Sequence, residues 1–179
     1  MVGQNGGTVR HCRIVSGSGN WQNGIVNIGG GGTTATTTNV FENYIENTTT
    51  GYGVILGDHV HHNVIKNSGI CMGALIFPAT VTFGSGAVLE DNYCSGTVGV
   101  IAGGPSSGAP LEVNDNYVRA GADGVLQDGL TSFTKNIIDS PDDFMVGNPG
   151  GAAFSANLCD DPECEDPGDY PFALSFDFN

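Results

Sequence analysis

Along most of the chain, apolar and polar positions follow one short pattern: apolar, two variable residues, Asn, one variable residue, apolar. Val40–Ile45, Val60–Ile65, Leu89–Cys94, Val113–Val118, Phe133–Ile138 and Phe154–Cys159 all fit it, and Val9–Ile14 fits with Cys12 in place of the Asn. Measured from the first apolar residue, successive copies are 31, 20, 29, 24, 20 and 21 residues apart. The short spacings define a unit, and the long ones are that unit plus an insertion, which is how a solenoid is written in sequence. A second apolar run follows each copy except the last: Gly24–Ile28, Gly53–Leu56, Gly73–Phe77, Gly99–Ala102, Gly124–Gln127 and Asp143–Val146. These runs are short, rich in β-branched residues and mostly led by glycine, whereas a helix needs about ten residues or more at a period of 3.6. The pattern predicts two or three short strands per turn of ~20 residues, each turn stacked on the next: an all-β parallel β-helix of about seven turns.

The Asn column has a physical reason. At a bend between strands, Asn tolerates the left-handed backbone region and its side chain bonds backbone groups. With turns stacked at ~4.8 Å, each amide can also bond the next, and the ladder offsets the cost of burying polar groups. Over residues 8–159, on these repeats and their Asn column, the chain resembles the right-handed parallel β-helix superfamily, which includes pectate-lyase-like enzymes and phage tail spikes. The resemblance implies the fold and leaves the activity open, because many unrelated functions share this coil.

Residues 1–159 are read as the coil, and 160–179 as an acidic linker and a C-terminal β-strand. In that strand Phe172, Leu174, Phe176 and Phe178 alternate with smaller or polar residues, the period of a strand with one apolar face. It is expected to fold over the solenoid or pack on a neighbouring subunit. The insertions Gly29–Thr38, Pro78–Gly86 and Gly103–Pro110 are expected to protrude along one edge, where solenoids carry binding surfaces. No amphipathic helix precedes Thr8, so the strand edges at that end are expected to be covered by another domain, a partner or a second copy.

Charge changes this picture by exclusion. The 179 residues carry 19 Asp and Glu against five Lys and Arg, a formal net charge of −14. Such a surface repels nucleic-acid phosphates and anionic membranes, and no run approaches the ~20 apolar residues of a membrane helix. The opening MVGQNGG lacks the basic and apolar regions of a signal peptide, so the chain either stays inside the cell that makes it or is a trimmed piece of something exported. Of the five cysteines, Cys12, Cys94 and Cys159 lie in or beside the apolar columns and are read as buried free thiols. Cys159 and Cys164 are close enough for a small disulfide. The absence of a CxxC pair argues against zinc.

Candidate chemistry comes from aligning the turns. The residue before the Asn position gives the column His11, Glu42, His62, Asp91, Asp115, Lys135 and Ala156; the one before that gives Arg10, Phe41, His61, Glu90, Asn114, Thr134 and Ser155. Glu42, His61, His62, Glu90, Asp91 and Asp115 are therefore expected to form a patch, with Asp58 and His59 beside it. Glu42, His62, Asp91 and Asp115 are the catalytic candidates, because stacked carboxylates shift one another's pKa for acid–base work on a glycan. Glu90 and Asp91, or Asp160 and Asp161 in the acidic run, are the candidates for calcium, the one cofactor considered. The acidic run lacks the ordered ligand spacing of a calcium loop. The bland reading of both is a solvated acidic surface.

For a lyase, the resemblance implies a Lys or Arg base. Lys66, Lys135, Arg13 and Arg119 are available, but they fall on scattered turns. Asp142-Asp143 resembles the paired aspartates of polygalacturonases, although the Gly-His-Gly and Arg-Ile-Lys motifs of that family are absent. Trp21 and Tyr52 are candidate sugar-stacking residues, whereas Tyr44, Tyr93 and Tyr117 share one column and are expected to be a packing stack. The functional expectation is a non-enzymatic structural or recognition module of a larger assembly, a bacteriophage virion protein of capsid-decoration or tail-spike type. It would be homo-oligomeric, and trimeric by resemblance to tail spikes. The alternatives are a fragment of a polysaccharide lyase, hydrolase or epimerase, extracellular if secreted, and a carbohydrate-binding or calcium-stabilised surface module.

Overall fold

The structure is a computed structural model that describes residues 2–3, 7–16, 23–27, 38–46, 51–55, 57–73, 83–105, 107–121, 125–128, 130–140, 145–147, 153–155 and 157–159. Its described elements are all β-strands, and every strand pair is parallel. One sheet has seven strands in chain order, each contributed by one copy of the repeat: Thr8–Arg10, Asn39–Phe41, His59–His61, Val88–Glu90, Leu111–Asn114, Thr131–Thr134 and Ala153–Ser155. A second sheet has twelve strands. In it Arg13–Val15, Tyr44–Glu46, the long strands Val64–Gly73 and Tyr93–Gly103, Tyr117–Ala120, Ile137–Asp139 and Leu158–Cys159 carry the residues just after the Asn position. Of the later runs, Tyr52–Ile55 and Val125–Asp128 pair with the far halves of the two long strands, and Asn23–Asn27 stacks on Tyr52–Ile55. Three ladders of parallel strands around one interior are consistent with a parallel β-helix.

Three apolar columns fill that interior. Val9, Val40, Val60, Leu89, Val113 and Phe133 come from the seven-stranded sheet; Ile45, Ile65, Cys94, Val118 and Ile138 from just past the Asn; Ile25, Val54, Met72 and Val100 from the later strands. All are buried, each contributing about 1.5–3 kcal/mol by leaving water.

The Asn ladder is continuous. Asn43 Nδ2 donates to Asn63 Oδ1 (3.0 Å), Asn63 to Asn92 (2.9 Å), Asn92 to Asn116 (2.9 Å), Asn116 to Asn136 (3.0 Å) and Asn136 to Asn157 (2.9 Å). Each Oδ1 also accepts the backbone N–H of the residue one rung before, as Asn92 Oδ1 does from Asn63 at 3.1 Å. The left-handed residue, however, is not the Asn. His11, Glu42, His62, Asp91, Asp115 and Lys135, each one place earlier, have φ between 52° and 57°. An amide facing inward to bond its neighbours leaves the sharp corner to the preceding residue, whose side chain is turned out.

Three further expectations are corrected. Cys94 is not a free thiol: it forms a disulfide with Cys71, both side chains buried, with Cα atoms 5.7 Å apart. Cys12 is free and half-buried. In the third unit Ile70 and Met72, ahead of the expected Gly73–Phe77 run, take the stacking positions opposite Tyr52 and Val54, within a strand that continues unbroken from Val64, and residues 74–77 lie outside the described residues. Ile70-Cys71-Met72 escapes a search for β-branched runs because two of its residues are unbranched. Val2–Gly3 adds a short strand beside Asn23–Asn27, before the first repeat. The described parts of two insertions dock on each other, Ala109 N–H donating to Ser85 Oγ (2.8 Å) and Gly86 N–H to Ala109 O (3.2 Å). The expected C-terminal strand, the linker and Gly29–Thr37 lie outside the described residues.

Candidate functional site

The outward side of the seven-stranded sheet gathers the expected patch. Strand alternation sends the side chains at the Phe41, His61 and Glu90 positions outward, and the left-handed corner does the same for Glu42, His62 and Asp91. All four histidines of the chain lie here. His11 Nε2 contacts Glu42 Oε2; His59 Nε2 lies 2.6 Å from Glu90 Oε1; His62 Nε2 lies 3.8 Å from Asp91 Oδ2. The His61 ring stacks on Phe41 (centroids 4.8 Å apart, planes 10° apart), with the Arg10 guanidinium 5.9 Å from the Phe41 ring centre. The His59 ring is 4.3 Å from that of His61, and His61 Nδ1 is 2.9 Å from His62 Nδ1. Burial holds the His61 pKa below the ordinary histidine value; His59 and His62 push it the same way, and Glu90 and Glu42 oppose them.

Asp115 continues the corner column one turn beyond Asp91, with the same left-handed φ. Asp58 belongs to the coil instead: its carboxylate accepts the Thr38 N–H at 2.9 Å, and burial raises its pKa against the pull of that bond. Among the described residues no group of three His, Cys, Asp or Glu side chains is placed to hold a metal ion. Glu90 and Asp91 meet imidazole nitrogens, whereas calcium takes an all-oxygen set. Asp160, Asp161 and the Asp142-Asp143 pair lie outside the described residues.

The neighbouring face carries the tyrosine column. The Arg13 guanidinium sits 5.5 Å from the Tyr44 ring centre, Lys66 Nζ sits 5.9 Å from both Tyr44 and Tyr93, and Tyr93 stacks on Tyr117 (5.4 Å, 4° between planes). The expected packing stack is present, and cations complete it. Tyr44 also donates to Glu46 Oε2 at 2.8 Å, a bond that raises its phenol pKa. Arg13, Lys66 and Arg119 face outward from the same sheet but on alternate turns, with Tyr44–Glu46 between the first two strands and Tyr93–Gly103 between the last two, and Arg119 pairs with Asp139 at 3.2 Å. Lys135 stands at a corner of the other face. Tyr44 lies between Arg13 and Lys66, and Tyr93 between Lys66 and Tyr117, which leaves these two rings poorly placed to stack on a sugar. Tyr52 lies away from this column, packed against the core, and burial raises its pKa. Trp21 lies outside the described residues.

Sequence reasoning misses Phe41, the one aromatic carbocycle in a polar column, and with it the Arg10–Phe41–His61 stack. The signal was its position between Arg10 and His61 in the alignment. Comparison of the chain with protein-family models, with curated proteins and with solved structures finds no match.

Proposed function

We propose that the chain is a non-enzymatic structural and recognition module of a larger assembly exposed outside the cell. It is a right-handed parallel β-helix of about seven turns, similar to phage tail spikes at the level of the coil, and a virion protein of the decoration or spike type fits it best. The observation that carries this reading is the histidine–carboxylate face. Its charged side chains pair with one another along the coil axis, from His11–Glu42 to His62–Asp91, and so pattern a rigid surface. A rigid patterned surface suits recognition, where charge placement sets specificity and register more than raw affinity. The buried Cys71–Cys94 disulfide supports a location outside a reducing cytosol.

Sedimentation of the chain under oxidising conditions tests the assembly part: a homo-oligomer, a trimer by the tail-spike likeness, is expected, and an inert monomer at all concentrations counts against it. A second reading, a fragment of a polysaccharide lyase, hydrolase or epimerase, draws on the stacking of Glu42, His62, Asp91 and Asp115 in one outward column. Incubation with acidic polysaccharides separates the two. Unsaturated or reducing ends that vanish in a Glu42→Ala/Asp91→Ala/Asp115→Ala variant favour the enzyme. A calcium-stabilised module would melt higher with calcium than with chelator.

A further inference from the structure

His59, His61 and His62 stand in one turn of the outward face, and their geometry accommodates two protons but not three. The two Nδ1 atoms of His61 and His62, 2.9 Å apart, share one hydrogen bond, so one donates and the other must carry no proton. His62 keeps this bond when it is charged, because an imidazolium still donates through Nδ1 while its Nε2 faces Asp91 Oδ2 at 3.8 Å. His59 Nε2 faces Glu90 Oε1 at 2.6 Å, a contact that requires a hydrogen on that nitrogen.

His61 is differently placed. One ring face lies on Phe41, behind which stands the Arg10 guanidinium, and the His59 ring is 4.3 Å away. Glu42 and Glu90 are the carboxylates that favour its charge, yet burial and the two neighbouring histidines outweigh them. A third proton sets two N–H donors against each other at Nδ1 and places His61 between two cations.

We propose that the His59–His61–His62 cluster is an acid-sensitive latch that opens when His61 takes the third proton, swinging its ring off Phe41 and uncovering that aromatic face. The coil beneath is not required to change, because Val60 and the Asn63 rung point inward and their bonds involve none of the three imidazoles. The latch stands on this geometry alone and does not depend on the recognition reading.

The test is NMR on the intact chain, following the imidazole Cε1–H and phenylalanine ring signals from pH 8 to pH 5, with Phe41 assigned through Phe41→Leu. His61 is expected to take its proton after its two neighbours, with the Phe41 ring shifts moving in that same step while the Asn43 and Asn63 amides stay in place. His61→Gln is expected to abolish the Phe41 step. His62→Gln, which removes the shared bond and one competing charge, is expected to move the His61 step to higher pH, and it serves if the first variant does not fold. Simultaneous titration of the three rings, a Phe41 signal indifferent to His61, or ladder amides moving in the same step would each overturn the proposal.

Discussion

Each rung of the Asn ladder uses one amide in two directions, and this makes single residues decisive. Asn92 Oδ1 accepts from the backbone and side chain of Asn63, while its Nδ2 donates to Val60 O, Glu90 O and Asn116 Oδ1. Asn92→Ala strands several buried partners at once, at about 1–3 kcal/mol for each group left unsatisfied, and chemical denaturation is expected to register a loss near the top of that range. Asn92→Asp is expected to do no better, because a carboxylate in place of the amide meets three acceptors. The opposite holds at the start of the ladder. Cys12 N–H already donates to Asn43 Oδ1 (3.0 Å), while its thiol reaches only Arg10 O (3.3 Å). Cys12→Asn adds a rung and is expected to stabilise by about 1 kcal/mol, read as a raised midpoint at unchanged m-value. His61 supplies a residue-scale pH dependence. Its folded pKa lies below its unfolded one, so the unfolded chain takes the proton first as acid is added. Stability is then intact above the ordinary histidine pKa of about 6.5 and is lost as the pH falls below it toward the depressed folded value. Melting temperatures of His61→Gln are expected to fall less between pH 7 and pH 5 than those of the unaltered chain.

At the scale of the element, what joins two strands decides how they fail. Cys71 and Cys94 sit on the two longest strands, Val64–Gly73 and Tyr93–Gly103, and their bond closes a loop spanning a sequence separation of 23. Loop closure of that size is worth about 3 kcal/mol through the unfolded chain. Cys71→Ala/Cys94→Ala is expected to lose about that much, and a reductant is expected to lower the midpoint of the unaltered chain but not that of the variant. The disulfide also marks the limit of sequence reading. Periodicity located the inward columns and the ladder because both recur at every turn with the same residue types. Cys71 carries no such recurrence: it lies between Ile70 and Met72, outside the repeated motif, and meets Cys94 on the neighbouring long strand Tyr93–Gly103. Residue preference misleads at the corner for a related reason: Asn is a familiar left-handed residue, yet Glu42, Asp91 and Lys135 adopt that conformation in its place. The histidine face was legible as columns, since strand alternation sets which residues face out. The diagonal pairing of His59 with Glu90 and the stack of His61 on Phe41 were not, because both depend on rotamers across turns.

For the molecule as a whole, the parallel stacking means that each turn is held by its neighbours alone, so stability is a sum of nearest-neighbour terms and unfolding can begin at either end. The disulfide breaks this equivalence by fastening the third and fourth repeats to each other in the middle of the seven-stranded order. The same two repeats contribute the fully buried Ile65, Met72, Leu89 and Val100, and they hold the Asn63–Asn92 rung. Amide hydrogen exchange in the oxidised chain is therefore expected to be slowest in Val64–Gly73 and Tyr93–Gly103 and to quicken toward Thr8–Arg10 and Leu158–Cys159. Reduction should act unevenly. Amides of the two central strands are expected to lose most of their extra protection, while terminal strands, which open without the whole coil unfolding, change little. Uniform protection along the coil would mean that it opens as one cooperative body, and the nearest-neighbour account would then fail. A central maximum that survives reduction would assign it to the packed columns and the ladder, with the disulfide a passive bystander.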